Sequence, residues 1–213
     1  MADRSQSSLA EEQQRKDMDP RRIFVVNPGS TSTKLAVFVE ESNVESTTLR
    51  HSSEELSQFK SVWDQFDFRL APCQQWMRAH VRNATAVVGI GGLLRPVTGG
   101  TYFINEKMIA DARANLQGEH ASNLGCALAY ELAKELRFPS YVVDPVSVDE
   151  FECLARYSGH SLIARRSLSH ALSIHAAARR AAQELDVPLS TSAFVVAHLG
   201  GGISVAPVLG GKI

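Results

Sequence analysis

Apolar residues enter the chain abruptly at Arg22-Ile23-Phe24-Val25-Val26, an unbroken run of the kind a buried strand presents. Turn-forming residues follow, Asn27-Pro28-Gly29-Ser30-Thr31-Ser32-Thr33, and then a second β-rich run, Lys34-Leu35-Ala36-Val37-Phe38-Val39. The pattern predicts a hairpin, with Pro28 at the turn because it cannot donate to a ladder. Leu56, Phe59, Val62, Phe66 and Leu70 recur at helical spacing over 52–82, and Pro72 divides off a second short helical stretch. Ala84–Ile90 reads as a buried strand opening into Gly91-Gly92-Leu93-Leu94-Arg95-Pro96-Val97-Thr98-Gly99-Gly100, and 107–116 as a short helix. Leu124, Leu128, Leu132 and Leu136 then fall every four residues, one apolar stripe of a helix that Pro139 stops. Tyr141-Val142-Val143 is a strand that delivers Asp144 at its end, and 168–185 is a second amphipathic helix. This alternation predicts an α/β fold.

The last segment repeats the first. Phe194-Val195-Val196-Ala197-His198, then Leu199-Gly200-Gly201-Gly202 and Ile203-Ser204-Val205-Ala206, is again strand, small-residue turn and strand. Two copies so far apart suggest a duplicated domain rather than a solenoid, with only the opening of the second copy present. The expected division is a disordered polar tail at 1–21, a first domain at 22–150 and the start of a second at 151–213.

Composition narrows the partners. Among 213 residues, 22 Lys and Arg balance 23 Asp and Glu for a formal charge of -1, so no basic field favours nucleic acid. No apolar run reaches membrane-spanning length and the polar start lacks a signal-peptide core, which points to the cytoplasm and away from a membrane. Cys73, Cys126 and Cys153 are odd in number and not in metal spacing; each reads as a buried free thiol of a reducing compartment.

Gly29–Lys34 looks superficially like a phosphate-binding P-loop, but Thr33 stands where its second glycine belongs and a strand follows instead of a helix. Two readings fit: an ordinary hydroxyl-rich hairpin, or a tip whose amides, Ser30 and Ser32 cradle phosphate beside Lys34. Gly200, Gly201 and Gly202 after a buried strand likewise suit either a flexible turn or close approach of backbone to phosphate. Two such loops facing each other would form a phosphate cleft.

Taken together, Asn27–Lys34, Gly91–Pro96 with Gly100–Tyr102, Gly118–Gly125, Val142–Pro145 and His198–Ser204 resemble the butyrate kinase family. That family belongs to the acetokinases of the actin, sugar-kinase and Hsp70 superfamily. The resemblance implies an RNase H-like (actin-like ATPase) fold and transfer of phosphate from ATP to a short-chain carboxylate with Mg. It implies that Asn27, Ser30, Ser32 and Lys34 form the first phosphate loop and His198, Gly200, Gly201 and Gly202 the second. Asn27 and Asp144 would lie at the magnesium, His170 would stabilise the transferring phosphoryl group, and His120 would line the substrate cleft. The residues alone also allow His120 to cap a helix and Asp144 to form a turn. His160 and His175 match nothing in the family and read as surface or structural, Arg165-Arg166 and Arg179-Arg180 as solvated faces, and the methionines and aromatics as core.

The chain also departs from the family. Ile90 stands where an arginine is expected before the Gly-Gly pair, and Ser169 where an aromatic residue precedes the catalytic histidine. The family continues well beyond the second hairpin. The expectation is therefore a butyrate kinase-like chain that is impaired alone and prone to associate, with a homodimer plausible. Acetate or a branched acid as substrate, and a non-catalytic phosphate-binding remnant, are the alternatives.

Overall fold

The computed structural model describes residues 20–200 and 202–213; the tail expected over 1–21, save its last two residues, and Gly201 lie outside them. Arg21, assigned to that tail, is tied to the sheet: its carbonyl accepts from the Glu40 N–H, its own N–H donates to the Glu40 carboxylate, and its guanidinium pairs with that carboxylate at 2.9 Å.

Six strands form one sheet: β1 (Arg22–Pro28), β2 (Ser32–Val39), β3 (Ser42–Arg50), β4 (Ala86–Ile90), β5 (Thr101–Phe103) and β6 (Ser140–Val143). Their order is β3-β2-β1-β4-β6-β5. The central strands β1, β4 and β6 run parallel and are flanked by antiparallel partners. Register aligns Val26 with Gly89 and Gly89 with Val142, so Asn27, Ile90 and Val143 leave the sheet along one edge.

Side chains on one face of these strands make the core. Phe24, Val26, Val87 and Val142 are fully buried beneath the helices α2 (Phe66–His80) and α4 (Leu124–Leu136). The fourfold leucine spacing is the buried stripe of α4, with Leu124, Leu128 and Leu132 at 0% exposure. Gly89 and Gly125 let α4 lie directly on β4: a Cβ on Gly125 would stand 2.1 Å from the Ile90 carbonyl oxygen. Two short helices, α1 (Ser53–Ser57) and α3 (Glu106–Arg113), are opened by side-chain caps from Ser52 and Asn105.

The second unit is a hairpin of β7 (Ala193–Leu199) and β8 (Ile203–Leu209) whose inner face packs on α5 (Ala171–Glu184) through Ile174, Ala178, Ala206 and Val208. Its outer row, Val195, Leu199, Ile203, Val205 and Leu209, is apolar yet exposed. Both hairpins predicted from sequence are present, and each is closed by a three-residue loop.

Four expectations need correction. Pro72 sits inside α2 instead of dividing two helices. The spacing from Leu56 to Val62 gives a five-residue helix and turns, with Val62 against the core and Phe59 against Phe68 of α2. Cys153 is exposed, unlike buried Cys73 and Cys126. Phe103 and Tyr157 are also exposed, so the aromatics are not core throughout.

Candidate functional site

The first loop is Gly29-Ser30-Thr31 between β1 and β2, closed by a 2.7 Å bond from the Gly29 N–H to the Ser32 carbonyl. Asn27 and Lys34 face each other across the hairpin, on the side of the sheet opposite α2 and α4. Ser30 and Thr31 are exposed at the tip, and Ser32 is half-buried.

Beneath the loop lies Arg69 of α2, which is 0% exposed. Its Nη1 donates to the carbonyls of Gly29 (2.9 Å) and Ser32 (3.4 Å) and to Thr33 Oγ1 (3.2 Å). Its Nη2 donates to the Ser30 carbonyl (3.2 Å), and Gln65 Oε1 accepts from both Nε and Nη2. No carboxylate among the described residues forms a salt bridge with it. Burial lowers its pKa for that reason. Thr33, also buried, hydrogen-bonds to His51 Nε2 at 2.9 Å, and the His51 N–H donates to the Thr31 carbonyl.

The second loop brings two of the sequence candidates together. The rings of His170 and His198 stack with centroids 3.9 Å apart. Gly202 is seated against His170, where a Cβ would come within 3.0 Å of Cε1. His170 Nδ1 shares a 2.8 Å hydrogen bond with Ser204 Oγ, which also accepts from the His170 N–H at 3.3 Å. His170 Nε2 faces the glycine loop, 3.3 Å from where a Gly202 Cβ would stand. Desolvation lowers the pKa of His170, and the fields of His198 and His120 lower it further, which favours the neutral ring.

His120 takes the capping role that the residues alone allowed. It caps the turn Ala121–Asn123, its Nδ1 accepting from the Ser122 N–H at 3.2 Å, and it lies close enough for its charge to act on His170. Its Nε2–H is thereby left free to donate.

Asp144 sits one residue beyond β6, in a left-handed conformation (φ 40°), as a turn former would. It is also buried and fully engaged. Oδ1 accepts from the Gly100 N–H at 2.7 Å, and Oδ2 pairs with His175 Nδ1 at 3.0 Å, with Arg179 3.8 Å away. His175 Nε2 reaches Glu150 at 3.2 Å, so one imidazole bridges two carboxylates. The hydrogen bond to Asp144, helped by both acids, outweighs burial and raises the His175 pKa. His175 therefore has a structural role, and Arg179 is more than a solvated face.

Asn27 and Asp144 lie on the same sheet edge but on strands separated by β4, about 10 Å apart by strand spacing. No group of three or more His, Cys, Asp and Glu side chains able to hold a metal is present among the described residues. Each Asp144 oxygen already accepts a hydrogen bond, from the Gly100 N–H and from His175, and any magnesium held here would share that carboxylate with them. Gly201 lies outside the described residues.

Sequence reasoning missed Arg69 and the Asp144–His175–Glu150 array. Arg69, Cys73 and Met77 are spaced by four along α2, and an arginine on an apolar stripe was the available signal. His175 likewise lies on the stripe with Ala171, Ala178 and Ala182.

No family model matches the chain. It is 52% identical over 194 residues to a probable butyrate kinase of Listeria monocytogenes, covering 90% of this chain and 55% of that protein. It is 47% identical over 195 residues to butyrate kinase 2 of Clostridium acetobutylicum, covering 90% and 55%. The chain thus spans about half the length of the curated relatives it matches. Among solved structures, the acetate kinase of Porphyromonas gingivalis superposes with a TM-score of 0.61 at 14% identity, covering 90% of this chain and 56% of that one. The acetate kinase of Entamoeba histolytica gives 0.58 at 16%, covering 90% and 53%. The acetokinase-type fold expected from sequence is borne out.

Proposed function

We propose that this chain, a homologue of butyrate kinases over nine-tenths of its length, supplies one half of a carboxylate kinase site. In that reaction a carboxylate oxygen of a short-chain acid attacks the terminal phosphorus of ATP, and the bond to ADP breaks. Butanoate is the first choice of acid, with acetate or a branched acid as the alternative. Two anions must approach in line, so oriented donors carry most of the catalysis.

The observation that carries this reading is the stacked His170–His198 pair beside His120 and the glycine loop. The lowered pKa of His170 favours its neutral ring, which can donate a hydrogen bond to a phosphoryl oxygen. The exposed tip Ser30-Thr31, with Asn27 and Lys34, offers a second set of donors on the same hairpin plan. Magnesium arrives with the nucleotide as part of the substrate. Asp144 is assigned to hold the Gly99–Gly100 turn and His175.

Residues 22–150 and 151–213 are read as a first domain and the opening of a second, in a cytoplasmic protein that can pair with a second copy. No helix of the described residues is long and apolar enough to cross a membrane. A phosphate-binding module without turnover is the second reading. It rests on Ile90, a half-buried alkyl group at the end of β4 that supplies no charge.

The test titrates Mg-ATP into the 213-residue chain and follows the histidine ring protons by NMR. Resonances of His120, His170 and His198 shifting together support the site, and an unchanged spectrum overturns it. Acyl hydroxamate trapped from a series of C2 to C5 acids, and lost in His170→Ala, would establish the kinase. Binding without hydroxamate selects the second reading.

A further inference from the structure

Arg69 is an expensive residue to keep. A cation removed from water needs a counter-charge or a full set of acceptors. Here every acceptor is neutral, and three of them are carbonyls of Gly29, Ser30 and Ser32 in one short segment. A well-packed apolar side chain in this place would avoid that cost. The buried charge therefore has to be explained by what it does to the loop.

Peptide geometry supplies the consequence. In a trans peptide the carbonyl and the next N–H point in opposite directions. Turning the Gly29 and Ser30 carbonyls down onto the guanidinium turns the N–H groups of Ser30 and Thr31 up, away from α2 and toward solvent. Both residues are exposed, and neither N–H has a backbone or side-chain acceptor among the described residues. Behind this outward pair of donors stands a fixed positive charge one loop-thickness away. Successive outward amides backed by a cation make an anion-binding concavity.

We infer that Arg69 is the positioning residue of the first phosphate loop: it holds Gly29–Thr33 with the Ser30 and Thr31 amides presented to phosphate, and the bound anion supplies the counter-charge that the buried guanidinium lacks. The inference rests on the phosphate-loop reading given above and adds to it a residue that never touches the ligand. Thr33 and His51 complete the support from the side, fixing the loop where it enters β2.

The experiment uses inorganic pyrophosphate as the probe, so that nothing depends on the adenosine or the acid. Affinity is measured by calorimetry for the parent chain, Arg69→Lys, Arg69→Met and Arg69→Ala. Amide spectra report on Ser30 and Thr31, and the Arg69 side-chain Nε–H of the parent is followed through the titration. The expected result is a parent in which the Ser30, Thr31 and Arg69 Nε signals move together. Arg69→Met should bind at least tenfold more weakly, Arg69→Lys should be intermediate, and added guanidinium ion should restore part of the affinity of Arg69→Ala. A purely structural role would not be rescued in this graded way. Pyrophosphate bound by Arg69→Met as tightly as by the parent overturns the inference and leaves the loop reading intact. If the substitutions unfold the chain, the parent titration decides: an Arg69 Nε signal that stays still while the Ser30 and Thr31 amides move also overturns it. A parent that binds no pyrophosphate removes the loop reading and the inference with it.

Discussion

The contact between α4 and β4 sets two general rules against each other at Gly125. Replacing a helical glycine by alanine ordinarily stabilises by up to about 1 kcal/mol through backbone entropy, and Gly125 is the second residue of α4. At Gly125 the new methyl carbon would stand 2.1 Å from the Ile90 carbonyl oxygen and 3.1 Å from Ile90 Cγ2. Real contacts of that kind need about 3.2 Å or more, so helix and strand must part by roughly 1 Å. A gap of that size forfeits a quarter to a half of each dispersion contact at the interface. Leu124, Leu128 and Leu132 of α4, all fully buried, would feel it. Overpacking costs of about 1–3 kcal/mol are usual, and the opposing atom here is backbone, so the upper end applies. After the propensity gain, Gly125→Ala should destabilise by about 2 kcal/mol, which at roughly 2–4 °C per kcal/mol lowers Tm by about 4–8 °C. Gly159→Ala is the reference, since a Cβ there meets nothing within 4 Å, and it should change little. The assay is thermal melting of both variants beside the parent. A Gly125→Ala protein that melts at or above the parent temperature would refute the argument, because it would mean that the helix does not rest on the strand as described.

Other outcomes follow from the charges. His198→Ala should raise the pKa of His170 toward the ordinary histidine value, since a like-charged neighbour is removed; a ring-proton NMR titration reads this directly, and an unmoved pKa would contradict it. His175 binds its proton more tightly folded than unfolded. Its contribution to stability is therefore complete below about pH 6.5 and is lost as pH rises through the raised folded value. Asp144→Asn removes the main cause of that shift and should flatten the alkaline fall in Tm, measured by melts across that range. Of the three thiols, Cys73 and Cys126 are buried with pKa pushed up to about 12, and Cys153 is exposed. A thiol reagent should therefore titrate one cysteine per native chain and all three after denaturation.

The parts of the fold written in hydrophobic periodicity were legible in the sequence. The unbroken runs at Phe24–Val26 and Val142–Val143 are parallel strands covered by helices on one face, and the fourfold leucines are the seam of α4. β3 was missed because it is an edge strand with polar residues on both faces; only Leu49 of Ser42–Arg50 packs against the core. β5, three residues long, carries no period at all. Pro72 misled for a physical reason. It removes one hydrogen bond from α2, but burial of Arg69, Cys73 and Met77 on one stripe keeps the helix continuous through it.

The candidate site divides along a similar line. Glycines and small hydroxyl residues at strand ends mark a place where backbone meets ligand, and those were readable at Gly29–Ser32 and Gly200–Ser204. What orients them was not, because the orienting residues come from elements distant in sequence. Arg69 reaches a loop some forty positions away, and Glu150 meets His175 twenty-five positions on. The two hairpins share a plan yet are supported by opposite means. The first is held from within the core by a cation that grips carbonyls and frees amides. The second has no such cation among the described residues: Gly202 rests on the His170 imidazole, and Ser204 Oγ is hydrogen-bonded to that ring's Nδ1. One loop therefore presents backbone donors and the other side-chain donors. On the proposed carboxylate kinase reading, charge supplied from below at the first loop and the lowered pKa of His170 at the second suit two different stages of one event: holding a phosphate chain, and meeting a phosphoryl group whose charge is moving.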